Sequence, residues 1–357
     1  MTRKILLPFV AALITLSASA QDSTKTFAVS GSVDAYYRYN FDGGTHTNNL
    51  TSFTNSQNSF ELGMATLRAD GSAMSGKVLA TADLGFGRRA EEFSYNEGTG
   101  PNGYLTLASL KQAYVSFTPG KVGTGVKFTI GKWATHIGYE VLDAYANRNY
   151  SMDYMFSFGP FSHTGLKAEY SSGTWGFMLG VANPTDNTTT KSTTKTLISQ
   201  ISDGTKDGKL KGYLNYQGAF TPEYSVNQID FVGTATLTSM WSLGLNSTAL
   251  IYSPKNGGNS ATSWGAAVYV NADPTPKVGL TLRGEYFDNT KSAFSAPATS
   301  IFDATLSLDY KVGPFTLIPE IRLDNAKDPI FFKSKDADDA PSSKSTFTGL
   351  VAAIYKF

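Results

Sequence analysis

The side chains best placed to do chemistry in this chain are ionisable groups at alternate positions. Between Phe27 and Phe41, Asp34 and Arg38 share one parity while the other (Phe27, Val29, Gly31, Val33, Ala35, Tyr37, Tyr39, Phe41) carries no charge. Collected along the chain, the polar row holds the bases Arg38, Lys77, Lys127, Lys167, Lys211, Arg283, Lys311 and Arg322. Its acids are Asp34, Asp83, Glu169, Asp230, Glu285, Asp303, Asp309, Glu320 and Asp324. A period of two puts such groups on one face of a strand, where they wet a surface and do not converge on a reacting atom. Eight bases against nine acids form no single-sign ring, so the row alone predicts weak ion selectivity for anything moving along it.

Constellations that would do covalent chemistry are missing. His46, His136 and His163 lack the spacing of a metal-binding helix, and no Gly-x-Ser-x-Gly elbow occurs. Gly125 to Lys132 imitates a phosphate loop, but its glycine spacing is one residue too long and Trp133 stands where Ser or Thr is needed. Asp336-Ala337-Asp338-Asp339 offers oxygen ligands to a hard cation but lacks the spacing and glycine of an EF-hand, so it reads as a solvated acidic loop. Zero Cys excludes thiol chemistry and disulfides. No catalytic residue, metal or cofactor is expected.

The elements that position the polar row are strands. Val78, Ala80, Ala82, Leu84 and Phe86 repeat the alternation, as do Trp175, Phe177, Leu179 and Val181. So do Val278, Leu280, Leu282, Gly284 and Tyr286, and again Phe315, Leu317, Pro319, Ile321 and Leu323. The pattern predicts sixteen strands near 27–41, 59–70, 77–87, 107–118, 125–136, 163–170, 175–183, 193–202, 210–220, 226–237, 242–252, 262–272, 278–287, 300–311, 315–325 and 346–357. Segment 193–202 is the thinnest of these, with only Leu197, Ile198 and Ile201 to argue for it, and without it a fourteen-strand count results. Short and long connections alternate, apart from one brief connection at 221–225, as they do in a transmembrane β-barrel with short periplasmic turns and long extracellular loops. Two lysines strain the alternation: Lys132 needs a bulge at Gly131 to turn it inward, and Lys111 is placed near the exterior rim.

The two ends agree with export to such a barrel. Arg3 and Lys4, the apolar run Ile5 to Leu16 and Ala18-Ser19-Ala20 read as a cleaved secretory signal over residues 1–20, leaving 21–357 as one domain. No later stretch has the roughly 18 apolar residues of a membrane helix. The closing strand alternates Phe347, Gly349, Val351, Ala353, Tyr355 and Phe357, with Tyr355 and Phe357 at the level of an interfacial aromatic girdle. A terminal aromatic also resembles the signal read by the barrel-assembly machinery. The 34 Gly, 23 Phe, 19 Tyr and 4 Trp suit a wall half wetted and half in lipid, and near-neutral charge points away from nucleic acid.

Around residues 130–165 the chain resembles the OmpL-like β-barrel porins of Gram-negative outer membranes. The run Ile130-Gly131-Lys132-Trp133-Ala134-Thr135-His136-Ile137-Gly138-Tyr139-Glu140 is similar to that family's glycine-lysine strand end and the isoleucine-glycine-tyrosine-glutamate loop after it. Asn149-Tyr150-Ser151 and Pro160 to Gly165 fit the family's next segments, and Asp34-Ala35-Tyr36-Tyr37 early and Arg283-Gly284-Glu285-Tyr286-Phe287 late fit it too. Asn183-Pro184-Thr185 departs from the family's Asn-Gly-Trp. The resemblance implies an all-β closed antiparallel barrel and passive diffusion of small hydrophilic solutes or ions. An adhesin or receptor acting through its outer loops is the alternative. Barrels of this size are often trimers, so a homotrimer among outer-membrane lipid and lipopolysaccharide is expected. The third outer loop, 137–162, is the expected constriction, through Tyr139, Glu140, Asp143, Arg148, Tyr150 and Asp153, with a mild bias toward cations or polar neutral solutes.

Overall fold

The computed structural model describes residues 25–97, 105–337 and 340–357, with positions 105 and 106 described in backbone only. The expected secretory signal over residues 1–20, and Asp338 and Asp339 of the acidic loop, lie outside the described residues. Sixteen strands form one closed sheet in which each pairs with its sequence neighbours and the first pairs with the last. They are β1 (Thr26–Asn40), β2 (Ser59–Ala73), β3 (Val78–Phe86), β4 (Leu110–Phe117), β5 (Lys127–Ala134), β6 (Ser162–Ser172), β7 (Trp175–Ala182) and β8 (Thr196–Gly204). The second half comprises β9 (Leu210–Phe220), β10 (Tyr224–Thr236), β11 (Trp241–Pro254), β12 (Ala261–Thr275), β13 (Val278–Asp288), β14 (Ser300–Val312), β15 (Phe315–Ala326) and β16 (Ser345–Lys356). All pairings are antiparallel. Closure removes every sheet edge, which a membrane-embedded sheet requires because lipid offers no hydrogen bonds.

Segment 193–202 is a strand shifted slightly forward, since Thr196–Gly204 pairs with β7 and β9 along its length. Its thin pattern has a physical source: Leu197 and Ile201 face outward, while the inner Ile198 is buried against Trp133 and Met178.

Both lysine anomalies resolve through backbone geometry. Gly131 has φ +133°, and a β-carbon there would collide with the Ala113 carbonyl oxygen, so only glycine fits. Pairing of β4 with β5 continues through it in register, so this is a glycine kink and not the expected bulge. Lys132 is buried beyond it, its ammonium 5.4 Å from the Phe93 ring centroid. Lys111 does sit on a bulge: Asp83 opposes Gln112 and Leu84 opposes Leu110, leaving Lys111 as the extra residue. It is not at an exterior rim; it is buried inside, bonded to Asp83 at 3.2 Å and to Asp143 at 2.6 Å. Lys77 also departs from expectation, lying in the β2–β3 turn and not on the strand wall.

The outer face is apolar and exposed, with Leu179 60% and Ile130 62% accessible. Packed side chains also fill much of the inside. Two short helices, α1 (Arg88–Phe93) and α2 (Tyr154–Phe158), lie in the second and third long loops. Tyr154 and Met155 pack with Tyr269, Phe287, Ile301 and Phe331, while Phe53, Met64, Phe93, Leu142, Met152, Phe156 and Phe161 form a second cluster. A third joins Ala144 and Tyr150 to Tyr36, Ile318, Leu350, Ala352 and Ile354.

Candidate functional site

Residues 135–161, here L3, connect β5 to β6 and turn into the barrel. A loop buried this way must find partners for its backbone N–H and C=O groups. The inner wall supplies them strand by strand. His136 Nε2 meets the Tyr216 carbonyl oxygen on β9 at 3.1 Å, and Gly138 N–H donates to Asp230 on β10 at 3.0 Å. Tyr139 N–H donates to Asn246 on β11 at 3.3 Å, and its ring stacks 4.2 Å from that of Tyr269 on β12. Glu140 then pairs with Arg283 on β13 at 2.6 Å.

The middle of L3 reaches the opposite wall. Ala144 and Tyr150 pack on the inner faces of β15, β16 and β1, and the Tyr150 hydroxyl donates to Asp34 at 2.5 Å. Gly63, the extra residue where β1–β2 register shifts, makes room: a β-carbon there would overlap the Asp34 carboxylate and the Tyr150 hydroxyl. Glu320 accepts the N–H groups of Tyr150 at 2.7 Å and Ser151 at 3.2 Å. Arg148 is ion-paired with Asp273 near the turn end of β12, and Asn149 donates to Ser307 at 2.7 Å.

The returning arm is clamped from both sides. Arg283 donates to the Ser151 carbonyl at 2.8 Å, and Arg322 to that of Met152 at 2.6 Å. Arg89 of α1 donates to the carbonyls of Tyr150 at 2.7 Å and Leu142 at 3.1 Å. The first amides of α2 have no intrahelical partner, and Glu285 accepts them from Tyr154 at 2.6 Å and Met155 at 2.8 Å. Wall carboxylates thus hold the loop's N–H groups and guanidinium groups hold its carbonyls. Each such charge-assisted bond is worth about 1.5–3 kcal/mol.

This assembly relocates many residues expected from sequence. Asp34, Arg38, Asp83, Asp230, Arg283, Glu285, Asp309, Glu320 and Arg322 are on the inner wall but buried, most of them bonded to L3 or to another loop. Lys127, Lys167, Glu169 and Lys311 keep partial exposure, and Lys211 is exposed. Within L3, Tyr139, Asp143 and Arg148 remain half-buried. Glu140, Tyr150 and Asp153 are buried, so the two acids do not face open water as the constriction reading assumed. Sequence reasoning misses Arg68, Arg89, Lys111 and Lys356 as inner-wall or loop-holding groups. Arg89 lies in a loop with no strand periodicity to mark it, and the bulge that turns Lys111 inward is invisible from spacing.

A lock between loops also depends on pH. Asp186, in the connection 183–195, accepts the Phe161 and Ser162 N–H groups, both at 2.7 Å, and the Tyr95 hydroxyl at 3.2 Å. Burial outweighs these bonds and pushes its carboxyl up to about 6. A raised acid favours the folded state fully below its unfolded pKa and loses that advantage as pH rises through the folded value. Asp186→Asn keeps an acceptor for both amides without a charge to bury. It should leave stability unchanged near pH 4 and raise it by on the order of 2 kcal/mol near pH 8, read from denaturant melts at the two pH values.

The barrel and its inward loop place the chain among channel-forming outer-membrane proteins, and sequence comparison decides between families. A model of the family described as "Putative beta-barrel porin-2, OmpL-like" matches residues 26–357. The chain belongs to that family. This porin of the outer membrane resembles, in fold, OmpT of Vibrio cholerae, with 13% identity and a TM-score of 0.61 over 95% of this chain and 100% of that one. The outer membrane channel DcaP of Acinetobacter baumannii is similar at 13% identity and a TM-score of 0.61, covering 94% of this porin and 99% of that chain. At such identities the likeness concerns the fold alone. No curated protein matches the porin significantly.

Proposed function

We propose that small hydrophilic solutes cross this porin by passive diffusion between L3 and the inner wall of β2–β9, with L3 as the constriction. A barrel of sixteen strands is wide enough for an aqueous channel. The observation that carries the reading is where inner-wall exposure survives. L3 is bonded to β1, to β9–β15 and, through Asp143 and Lys111, to β4, whereas Arg68, Asp70, Lys127, Lys167, Glu169 and Gln200 on the remaining strands, and Lys211 and Tyr213 nearer the start of β9, remain partly or fully accessible. On this reading Tyr139, Asp143 and Arg148 border the passage from the loop side, and the buried Glu140, Tyr150 and Asp153 hold its shape.

Export through a cleaved N-terminal signal over residues 1–20 and delivery by the barrel-assembly machinery through Phe357 belong to the same reading. Self-association as a trimer draws support from the outer face of β1, β2 and β16, where Ala35 and Ala353 lie in a hollow walled by Tyr37, Phe60, Leu62 and Val351. Liposome swelling tests the central claim. Vesicles carrying the folded protein should swell in small sugars and more slowly as sugar size grows; no swelling in any sugar would leave the outer-loop adhesin reading standing instead.

A further inference from the structure

We infer that the passage favours anions, and that Lys127, Lys167 and Lys211 set the preference for small anionic solutes such as carboxylates or inorganic phosphate. The inference rests on the diffusion reading above and goes beyond it. Counting charges along the chain gives no preference; burial sorts them. The inner-wall acids of β10 and β13–β15 (Asp230, Glu285, Asp303, Asp309, Glu320, Asp324) are each at most 5% exposed. Apart from that of Asp309, their charge is spent on L3 amides, guanidinium groups and neighbouring hydroxyls. Glu140 and Asp153 of L3 are 4% and 0% exposed, so two of the three acids that suggested a cation bias are withdrawn from solvent, and the third, Asp143, is paired with Lys111.

The accessible wall has the opposite balance. On β2, Arg68 and Asp70 pair at 2.7 Å and cancel, and higher on that strand Glu61 is matched by Arg88 of α1 at 3.3 Å. On β5 and β6, a single acid serves two lysines: Glu169 lies 3.0 Å from Lys127 and 3.4 Å from Lys167. On β9, Lys211 faces Gly204 and Thr234 across its two ladders, neither of them acidic. On the far wall Asp273 is held by Arg148, while Lys311 and Lys356 keep exposure, and on β4 Lys111 holds Asp143 of L3. The surplus is positive along β5, β6 and β9 and on the far wall, and β2 is balanced. Partly screened charges a few ångströms from a permeant ion change its local concentration by about threefold.

Reversal potentials of the wild-type protein in planar bilayers under a KCl gradient test this. Chloride permeability should exceed potassium permeability by about threefold. Lys127→Glu/Lys167→Glu should reverse the preference, Lys211→Gln should weaken it, and Glu169→Gln, which removes the one acid among the lysines, should strengthen it. Current with potassium preference in the wild type, or a ratio indifferent to these four substitutions, overturns the inference while leaving the porin reading intact. A folded barrel that carries no current overturns both. If the double reversal fails to fold, the wild-type ratio and the two neutral variants decide the matter.

Discussion

Arg283→Met should raise single-channel conductance and make the open current noisy, in a barrel that still assembles. Arg283 is 0% exposed and ties five partners together: Glu140 at 2.6 Å, the Ser151 carbonyl at 2.8 Å, Thr305 at 3.0 Å, the Met152 carbonyl at 3.3 Å and Asp303 at 3.5 Å. Methionine fills the stem of the side chain but strands Glu140 and leaves the Ser151 carbonyl without its guanidinium. Breaking a buried pair by removing one member costs about 3–5 kcal/mol, because the other charge stays buried and uncompensated. L3 can escape that cost by swinging its returning arm away from the wall. The closed sheet cannot escape anything, since the sixteen pairings do not involve this side chain. The loss therefore falls on the loop and not on the barrel. A second variant separates this from general damage. Arg283→Met with Glu140→Gln removes both charges of the pair, and Asp303 retains Arg322 at 3.2 Å, so conductance should fall back toward the wild-type level. Conductance and noise identical to wild type in the single variant would mean either that wall charges do not hold L3 or that L3 does not narrow the passage.

The outward half of this arrangement is readable in the sequence because one uniform environment dictates it. Every lipid-facing position from Val29 to Tyr355 meets the same hydrocarbon, so period two shows through strand after strand, even in the thin pattern of β8. The inner half answers to partners far away in the chain. Asp34 and Tyr150 are 116 residues apart, Glu320 and the Tyr150 amide 170, and no local spacing reports them. One inner signal does stand in the sequence. β16 is apolar on both parities, with Leu350, Ala352 and Ile354 alternating with Val351, Ala353 and Tyr355. A strand wetted on its inner face has no reason to carry such a row. Buried at 6%, 0% and 2%, those three inner residues are the floor on which Ala144 and Tyr150 rest. Charge tallies fail for a related reason. An acid that wets a wall and an acid buried against a loop, a guanidinium or an ammonium look alike in sequence, and only the fold shows that most of the acids are buried.

Leu179→Arg should cripple membrane insertion, and Gln200→Arg should be tolerated. Leu179 lies midway along β7, faces outward and is 60% exposed to what the barrel reading makes lipid. An arginine near the bilayer midplane of such a barrel costs about 2–4 kcal/mol, enough to shift folding into vesicles visibly. Gln200 lies on the adjacent strand opposite Met178, points inward and is partly exposed, so a guanidinium there finds water and the Asn215 amide beside it. Strand parity alone suggests a simpler pair, Val33→Arg against a harmless Asp34→Arg. The structure rules out the second member: Asp34 accepts the Tyr150 hydroxyl and lies 4.0 Å from Arg89, so an arginine there would set two buried guanidinium groups against each other and dislodge L3. Inner position alone therefore does not make a site permissive; it must also lie on the side L3 leaves open. Folding yields of Leu179→Arg and Gln200→Arg into lipid vesicles, paired with the mobility shift of folded against heated protein, read the difference directly. Equal yields would contradict the assignment of β7's outer row to lipid, and with it the inward and outward assignment of every strand paired to it.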